Sequence, residues 1–117
     1  MQQVPLSAPR YPVSLALGEL SDSKLAALVY ASARCARCFI DPDQWFPVSS
    51  DTAKARAEAA GAIAVCNSCP VRAPCLELCF RHDHVFGAHG VWGGLVESER
   101  QLRRRRWRRG TAVTELL

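Results

Sequence analysis

The stretch that decides this fold is Cys66-Asn67-Ser68-Cys69-Pro70-Val71-Arg72-Ala73-Pro74-Cys75. It places three thiols within ten residues, and a fourth thiol, Cys38, precedes them in the chain. Four thiolates that converge on one point form a soft, anionic site, which selects zinc, copper(I) or an iron–sulfur cluster. We therefore expect a small protein that is built around a bound metal.

The length of 117 residues predicts one domain with tails. Prolines in the first 19 residues indicate a flexible arm at 1–19, and a metal-binding core is expected at 20–99, followed by a basic helix and tail at 100–117. A domain of this size buries a modest fraction of its surface, and a bound metal often supplies the missing stability.

Neither a secretion signal nor a membrane segment is predicted. The N-terminus lacks a basic segment before an apolar run, and no apolar run reaches the roughly 18 residues of a membrane helix. We therefore expect a cytoplasmic protein, in which thiols stay reduced. This expectation disfavours three structural disulfides as the use of the six cysteines.

Local patterns predict an all-α protein. Helices are expected at 22–33, from residue 51 or 52 to 65, at 74–82 and at 97–109, and a tight turn at Gly90–Gly94. Almost no strand pattern is present. The expected architecture is three to four short helices around a cysteine-bound centre.

Charge is divided unevenly along the chain. Residues 1–99 carry eight Lys/Arg and ten Asp/Glu, whereas residues 100–117 carry seven Arg and one Glu. The acidic core and the basic tail should therefore have different partners. The tail is predicted to contact DNA phosphates without reading sequence, through Arg103, Arg104, Arg105, Arg106, Arg108 and Arg109. A solvated helix end is the alternative interpretation of this run.

Two other functions would also account for the cysteines. A four-cysteine zinc site in a nucleic-acid-binding module is one, although the histidine spacing after Cys66 and Cys69 does not fit a C₂H₂ finger. The other is a thiol–disulfide oxidoreductase, which would use Cys66 and Cys69 as a dithiol of low pKa. The chain shows no βαβ pattern of the thioredoxin type, so this function ranks last.

Three motifs together resemble the WhiB-like regulators of actinobacteria and their phages. They are Cys38 followed by Asp41-Pro42-Asp43-Gln44-Trp45-Phe46-Pro47, the Cys66–Cys75 stretch with Leu76 and Glu77, and Gly90-Val91-Trp92-Gly93-Gly94. The resemblance covers roughly residues 35–106. A basic segment follows the third motif, as it does in that family.

The resemblance implies a transcription regulator that is not an enzyme. It implies a [4Fe–4S] cluster, sensitive to O₂ and nitric oxide, on Cys38, Cys66, Cys69 and Cys75. It also implies that the core binds the C-terminal domain of the principal sigma factor through Trp45, Phe46 and Trp92. The basic tail would then bind promoter DNA. In the apo protein, Cys66 and Cys69 are close enough in sequence to form a disulfide.

The chain departs from the family pattern at three points. Family members usually have the Asp of Asp-Pro four residues after the first cysteine, whereas Asp41 lies three after Cys38 and six after Cys35, so Cys35 is the substitute ligand. Cys79 is a cysteine beyond those of the family pattern, and we expect it to pack as a small buried apolar side chain more than to act in redox chemistry. Val96 stands where relatives often carry a Ser or Thr helix cap.

Overall fold

The computed structural model describes residues 9, 11, 12, 15–86 and 89–117, and the side chains of residues 84–86 lie outside the description. Within these ranges the chain forms five α-helices: α1 Asp22–Ser32, α2 Thr52–Glu58, α3 Ala60–Asn67, α4 Arg72–Phe86 and α5 Glu97–Arg108. Short 3₁₀ turns occupy Leu17–Glu19, Arg34–Arg37, Pro42–Trp45 and Val113–Glu115. The β-structure of the described chain is a single bridge between Trp92 and Leu95. The predicted all-α class is confirmed.

Side-chain caps define where three of these helices begin. Ser21 Oγ accepts a hydrogen bond from the Lys24 amide (3.2 Å) at the start of α1, and Asp51 Oδ1 accepts one from the Lys54 amide (2.9 Å) at the start of α2. At α5 the capping side chain lies inside the helix, where Glu99 Oε1 accepts a hydrogen bond from the amide of Val96, the residue before the helix (3.2 Å). Each such bond satisfies an amide that the first turn leaves without a partner.

The single alanine-rich helix that the sequence predicts is divided into α2 and α3. The break lies at Ala59, whose backbone is non-helical (φ −101°, ψ 15°). The side chain of Gln44 reaches the start of α3, where its Oε1 accepts a hydrogen bond from the Gly61 amide (2.7 Å). A Cβ atom on Gly61 would lie only 2.1 Å from that oxygen, so an alanine here would displace the Gln44 amide from this position. This break raises the helix count to five.

Helix α4 begins two residues before the predicted start, and Pro74 lies in its first turn, where its missing amide costs no hydrogen bond. The predicted end near His82 coincides with a kink at that residue (φ −114°, ψ 16°), after which the helix continues to Phe86.

The buried side chains form two separate apolar clusters. The first joins α1, α4 and the C-terminal turn, and its members include Leu25, Val29, Leu76, Phe80, Val113 and Leu116. The second joins α2, α3 and the loop before α5, and consists of Ala55, Ala59, Ala62, Ile63, Cys66, Val91 and Val96. Cys69 and Cys75 pack against the first cluster. Each of the two clusters is therefore in contact with at least one cysteine.

Both ends of the described chain pack against α4. Most of the predicted flexible arm at 1–19 lies outside the described residues, but Leu17 is buried. Arg81 donates hydrogen bonds to the Leu17 carbonyl (3.0 Å) and the Leu20 carbonyl (2.6 Å). At the other end, Gly110 (φ +106°) lets the chain turn after α5 so that the Val113–Glu115 turn packs on α4. The predicted boundary between residues 99 and 100 falls inside α5.

None of the helices in the described ranges has the length and apolar character that spanning a bilayer requires.

Candidate metal centre

Four thiols line a cavity of about 530 Å³ between the two apolar clusters. Cys66 lies in the last turn of α3, Cys69 in the turn that follows, and Cys75 in the first turn of α4. The Cys69 amide donates to the Cys66 carbonyl (3.0 Å), and this bond closes the turn between the two thiols. The fourth thiol is Cys35, in the Arg34–Arg37 turn that packs against α3.

Three of the four predicted ligands, Cys66, Cys69 and Cys75, therefore line one cavity. Of the described cysteines, Cys38 and Cys79 are the two that lie outside the cavity wall. The Cys38 thiol donates to the Cys35 carbonyl (3.4 Å). Within the described ranges, no three His, Cys, Asp or Glu side chains come close enough together to hold a single metal ion.

Burial raises the pKa of three of the cavity thiols, Cys35, Cys66 and Cys75. It raises the pKa of Cys66 to about 11 and raises the pKa of Cys75 further, and in both cases a neighbouring thiolate adds to the effect. The pKa of Cys35 is also raised, first by burial and then by the charges of Cys69 and Cys38. A cationic centre in the cavity is what would stabilise four thiolates here.

The oxidoreductase hypothesis requires a thiol whose pKa is lowered. Cys66, the first cysteine of the Cys-x-x-Cys pair, has its pKa shifted in the opposite direction. All six cysteines are free thiols in the structure, including the pair Cys66 and Cys69, for which the sequence predicted a disulfide in the apo protein.

A glycine turn and one arginine complete the cavity wall. Arg72 lines the cavity, and its Nε donates to the Gly93 carbonyl (2.8 Å). Gly94 has φ +80°, and a Cβ atom there would lie 2.9 Å from Asn67 Oδ1 and 3.2 Å from Arg72 Nη2. The predicted tight turn is confirmed, and it fits against the start of α4 because its glycines carry no side chain. Arg72 thereby places a positive charge beside the thiols.

The three predicted sigma-factor contacts meet at the same cavity. Trp45, Phe46 and Trp92 all line it, and the Val91 amide donates to the Trp45 carbonyl (2.8 Å), which joins the two segments that carry them. Trp92 Nε1 donates to the His89 carbonyl (2.9 Å), whereas Phe46 is 61% exposed. An aromatic surface that is partly open to solvent therefore lies directly beside the thiols.

The six predicted DNA-contacting arginines fall into two groups on α5. Arg105, Arg106, Arg108 and Arg109 are exposed. Arg103 and Arg104 are half-buried and have partners within the protein, since Arg103 pairs with Glu99 (3.6 Å) and Arg104 Nε donates to the Phe80 carbonyl (2.9 Å). Only the Glu99–Arg103 spacing of four could have been read from the sequence.

The sequence interpretation missed Arg100, which it counted with the basic tail. Arg100 is 1% exposed, and its Nη1 donates to the Leu95 carbonyl (2.9 Å) and to the Gly90 carbonyl. It also hydrogen-bonds to the buried Cys79. Its position four residues after buried Val96 and seven before half-buried Trp107 places it on the inner face of α5, and this spacing was the available signal.

The profile of the transcription factor WhiB family matches residues 30–102. The chain belongs to the WhiB family. It is 40% identical over 74 residues to the transcriptional regulator WhiB1 of Mycobacterium tuberculosis, a match that covers 63% of this chain and 83% of that protein. WhiB2 of M. tuberculosis is 38% identical over 65 residues, covering 56% of this chain and 63% of the relative. WhiB of Streptomyces coelicolor is 38% identical over 61 residues, covering 52% and 60%.

No solved structure matches the chain significantly. The resemblance that the motifs predicted is confirmed, and the chain is a WhiB-family transcriptional regulator. The matched range 30–102 contains every residue that lines the cavity except Val29. It ends immediately before Arg103, so the basic part of α5 lies outside the WhiB match.

Proposed function

We propose that this WhiB-family protein holds a [4Fe–4S] cluster in its cysteine-lined cavity and regulates transcription in response to O₂ and nitric oxide. It would act in the cytoplasm, without catalysis, by binding the C-terminal domain of the principal sigma factor and promoter DNA. The observation that carries the proposal is that four thiols and three aromatic side chains line one cavity.

The donor set and the cavity fit such a cluster. All four candidate donors are cysteine sulfurs, the soft ligands that iron–sulfur clusters use. A cavity of about 530 Å³ has room for more than one metal ion. When bound, the cluster would supply a redox-active centre that reacts with nitric oxide. The chain itself would hold it with Cys66, Cys69, Cys75 and one thiol of the Cys35 and Cys38 pair.

The first test is the metal content of anaerobically purified protein. We expect iron and sulfide in equal amounts, and we expect Cys66→Ser, Cys69→Ser and Cys75→Ser each to abolish the visible absorbance. Cys79→Ser is the matched control and should keep the absorbance, because Cys79 lies outside the cavity wall. Zinc without sulfide would contradict the proposal and would support a zinc-stabilised nucleic-acid-binding module instead.

The proposed sigma-factor surface is the aromatic wall of the cavity. Phe46 is exposed while Trp45 and Trp92 are half-buried, so the surface is both anchored in the protein and open to a partner. Aromatic side chains of this kind are enriched among the residues that dominate interface energies. Because they lie beside the thiols, a change at the metal centre would reach the partner surface directly.

Replacing Trp92 with Ala is expected to weaken sigma-factor binding by about 2 kcal/mol or more, the range of an interface hot spot. Phe39→Ala is the control, because it removes an exposed aromatic side chain that does not line the cavity. Binding would be measured by calorimetry with anaerobic protein, and visible absorbance would verify that the cluster is retained. If Trp92→Ala loses the cluster but binds the sigma factor as tightly as the wild-type protein does, a contact role for Trp92 is contradicted.

The proposed DNA surface is the exposed face of α5. Arg105, Arg106, Arg108 and Arg109 make no ion pair or side-chain hydrogen bond within the described chain, so their charges are available to phosphates. Arg103 and Arg104 add charge beside this face. Because phosphate contacts release bound counterions, binding through such a face depends steeply on salt and little on sequence.

Two double variants with the same loss of charge test this surface. Arg105→Ala with Arg109→Ala is expected to weaken binding to all DNA sequences alike and to reduce the salt slope by about two units, one for each phosphate contact. Arg103→Ala with Arg104→Ala should change the slope less and lower protein stability more, because these side chains bind Glu99 and the Phe80 carbonyl. Equal slopes in the two variants would show that only net charge matters.

A further inference from the structure

The two cysteines before the Asp41-Pro42 motif occupy different environments. Cys35 lies within the Arg34–Arg37 turn and lines the cavity together with its neighbour Ala36. Cys38 follows the turn in an extended conformation (φ −104°, ψ 154°), and its thiol is directed to the Cys35 carbonyl, 3.4 Å away. The Cys38 thiol is thus hydrogen-bonded to the backbone of the turn, and Cys38 does not line the cavity.

The packing of the Arg34–Arg37 turn explains why Cys35 reaches the cavity. The turn packs against α3, whose last turn carries Cys66. Ala33, immediately before the turn, is buried in the first apolar cluster and also lines the cavity. The turn is therefore anchored by Ala33 and by its packing on α3, and Cys35 lines the same cavity as Cys66 and Cys69.

We infer that Cys35, and not Cys38, supplies the fourth thiolate of the metal centre. This inference rests on the proposed function, and it replaces the assignment that spacing from Asp41 favoured. Spacing gives only the number of residues between each cysteine and Asp41. A ligand is selected by where its sulfur lies once α3 and the turn have packed. Cys38 would then remain a free thiol next to a ligand.

Alkylation of the wild-type protein under anaerobic conditions tests the inference without any substitution. Cys35 is exposed and Cys38 is half-buried, so accessibility alone would make Cys35 the faster thiol to react. In the holo protein we expect iodoacetamide to label Cys38 and to leave Cys35 unlabelled, as identified by peptide mass spectrometry. After iron is removed, Cys35 should be labelled as well. Labelling of Cys35 with protection of Cys38 in the holo protein would overturn the inference.

Single substitutions supply the second measurement. Cys35→Ser is expected to lose iron, sulfide and visible absorbance, while Cys38→Ser should keep the wild-type content of each. The reverse pattern, or full retention in both variants, would overturn the assignment of Cys35 and leave the proposed cluster intact. Wild-type protein that contains zinc and no sulfide would instead contradict the proposed function, and the alkylation pattern would still decide which cysteine binds the metal.

Discussion

Removing the metal centre is expected to lower the free energy of unfolding by several kcal/mol and to reduce the helical content. Cys66 belongs to one apolar cluster, whereas Cys69 and Cys75 pack against the other, so ligand bonds to all three would tie the two clusters together. The second cluster contains three alanines, Ala55, Ala59 and Ala62, and buries little apolar area by itself. Ligand bonds form only in the folded state and therefore add to its stability.

Anaerobic urea unfolding of holo and iron-depleted protein, followed by circular dichroism, measures this loss. The Cys66→Ser variant controls for effects of the chelator, since a protein that cannot hold the cluster should not respond to it. An unchanged unfolding midpoint after iron removal would show that the two apolar clusters are sufficient for folding. Limited proteolysis should report the same loss as faster cleavage around α2 and α3.

Replacing Arg100 with Met is expected to destabilise the protein by about 3 kcal/mol. The substitution removes the arginine donor from the Gly90 carbonyl and leaves the Leu95 carbonyl with the Trp92 amide (3.2 Å) as its donor, and an unsatisfied buried polar group costs about 1–3 kcal/mol. These carbonyls flank Trp92, so the glycine turn that forms part of the cavity wall should loosen as well. The free energy of unfolding from urea titration is the measurement.

Arg105→Met is the matched control for this substitution. Arg105 lies on the exposed face of the same helix, and exposed substitutions usually change stability by less than about 0.5 kcal/mol. Arg100→Lys should recover part of the loss, because a lysine keeps a charged donor but lacks the planar geometry of the guanidinium. Equal midpoints for Arg100→Met and Arg105→Met would show that the two buried hydrogen bonds contribute nothing.

Local features of the chain were read correctly from the sequence. The start of α1 at residue 22, the start of α2 at residue 52 and the glycine turn at Gly90–Gly94 depend on interactions between residues a few positions apart. The same holds for the motifs that revealed the WhiB family, because each is a short run of residues with fixed spacing. Such features require no knowledge of how distant elements pack.

The sequence by itself thus determined the helical class, the family and the segment that carries three of the four thiols. Only the tertiary structure decided that Gln44 caps α3 at Gly61, that Arg100 is buried, and that Cys35 lines the cavity. Each of these features depends on how one element of the fold packs against another. Spacing along the chain fixes a residue's place on its own helix or turn, but the surroundings of its side chain depend on which other element is packed against it.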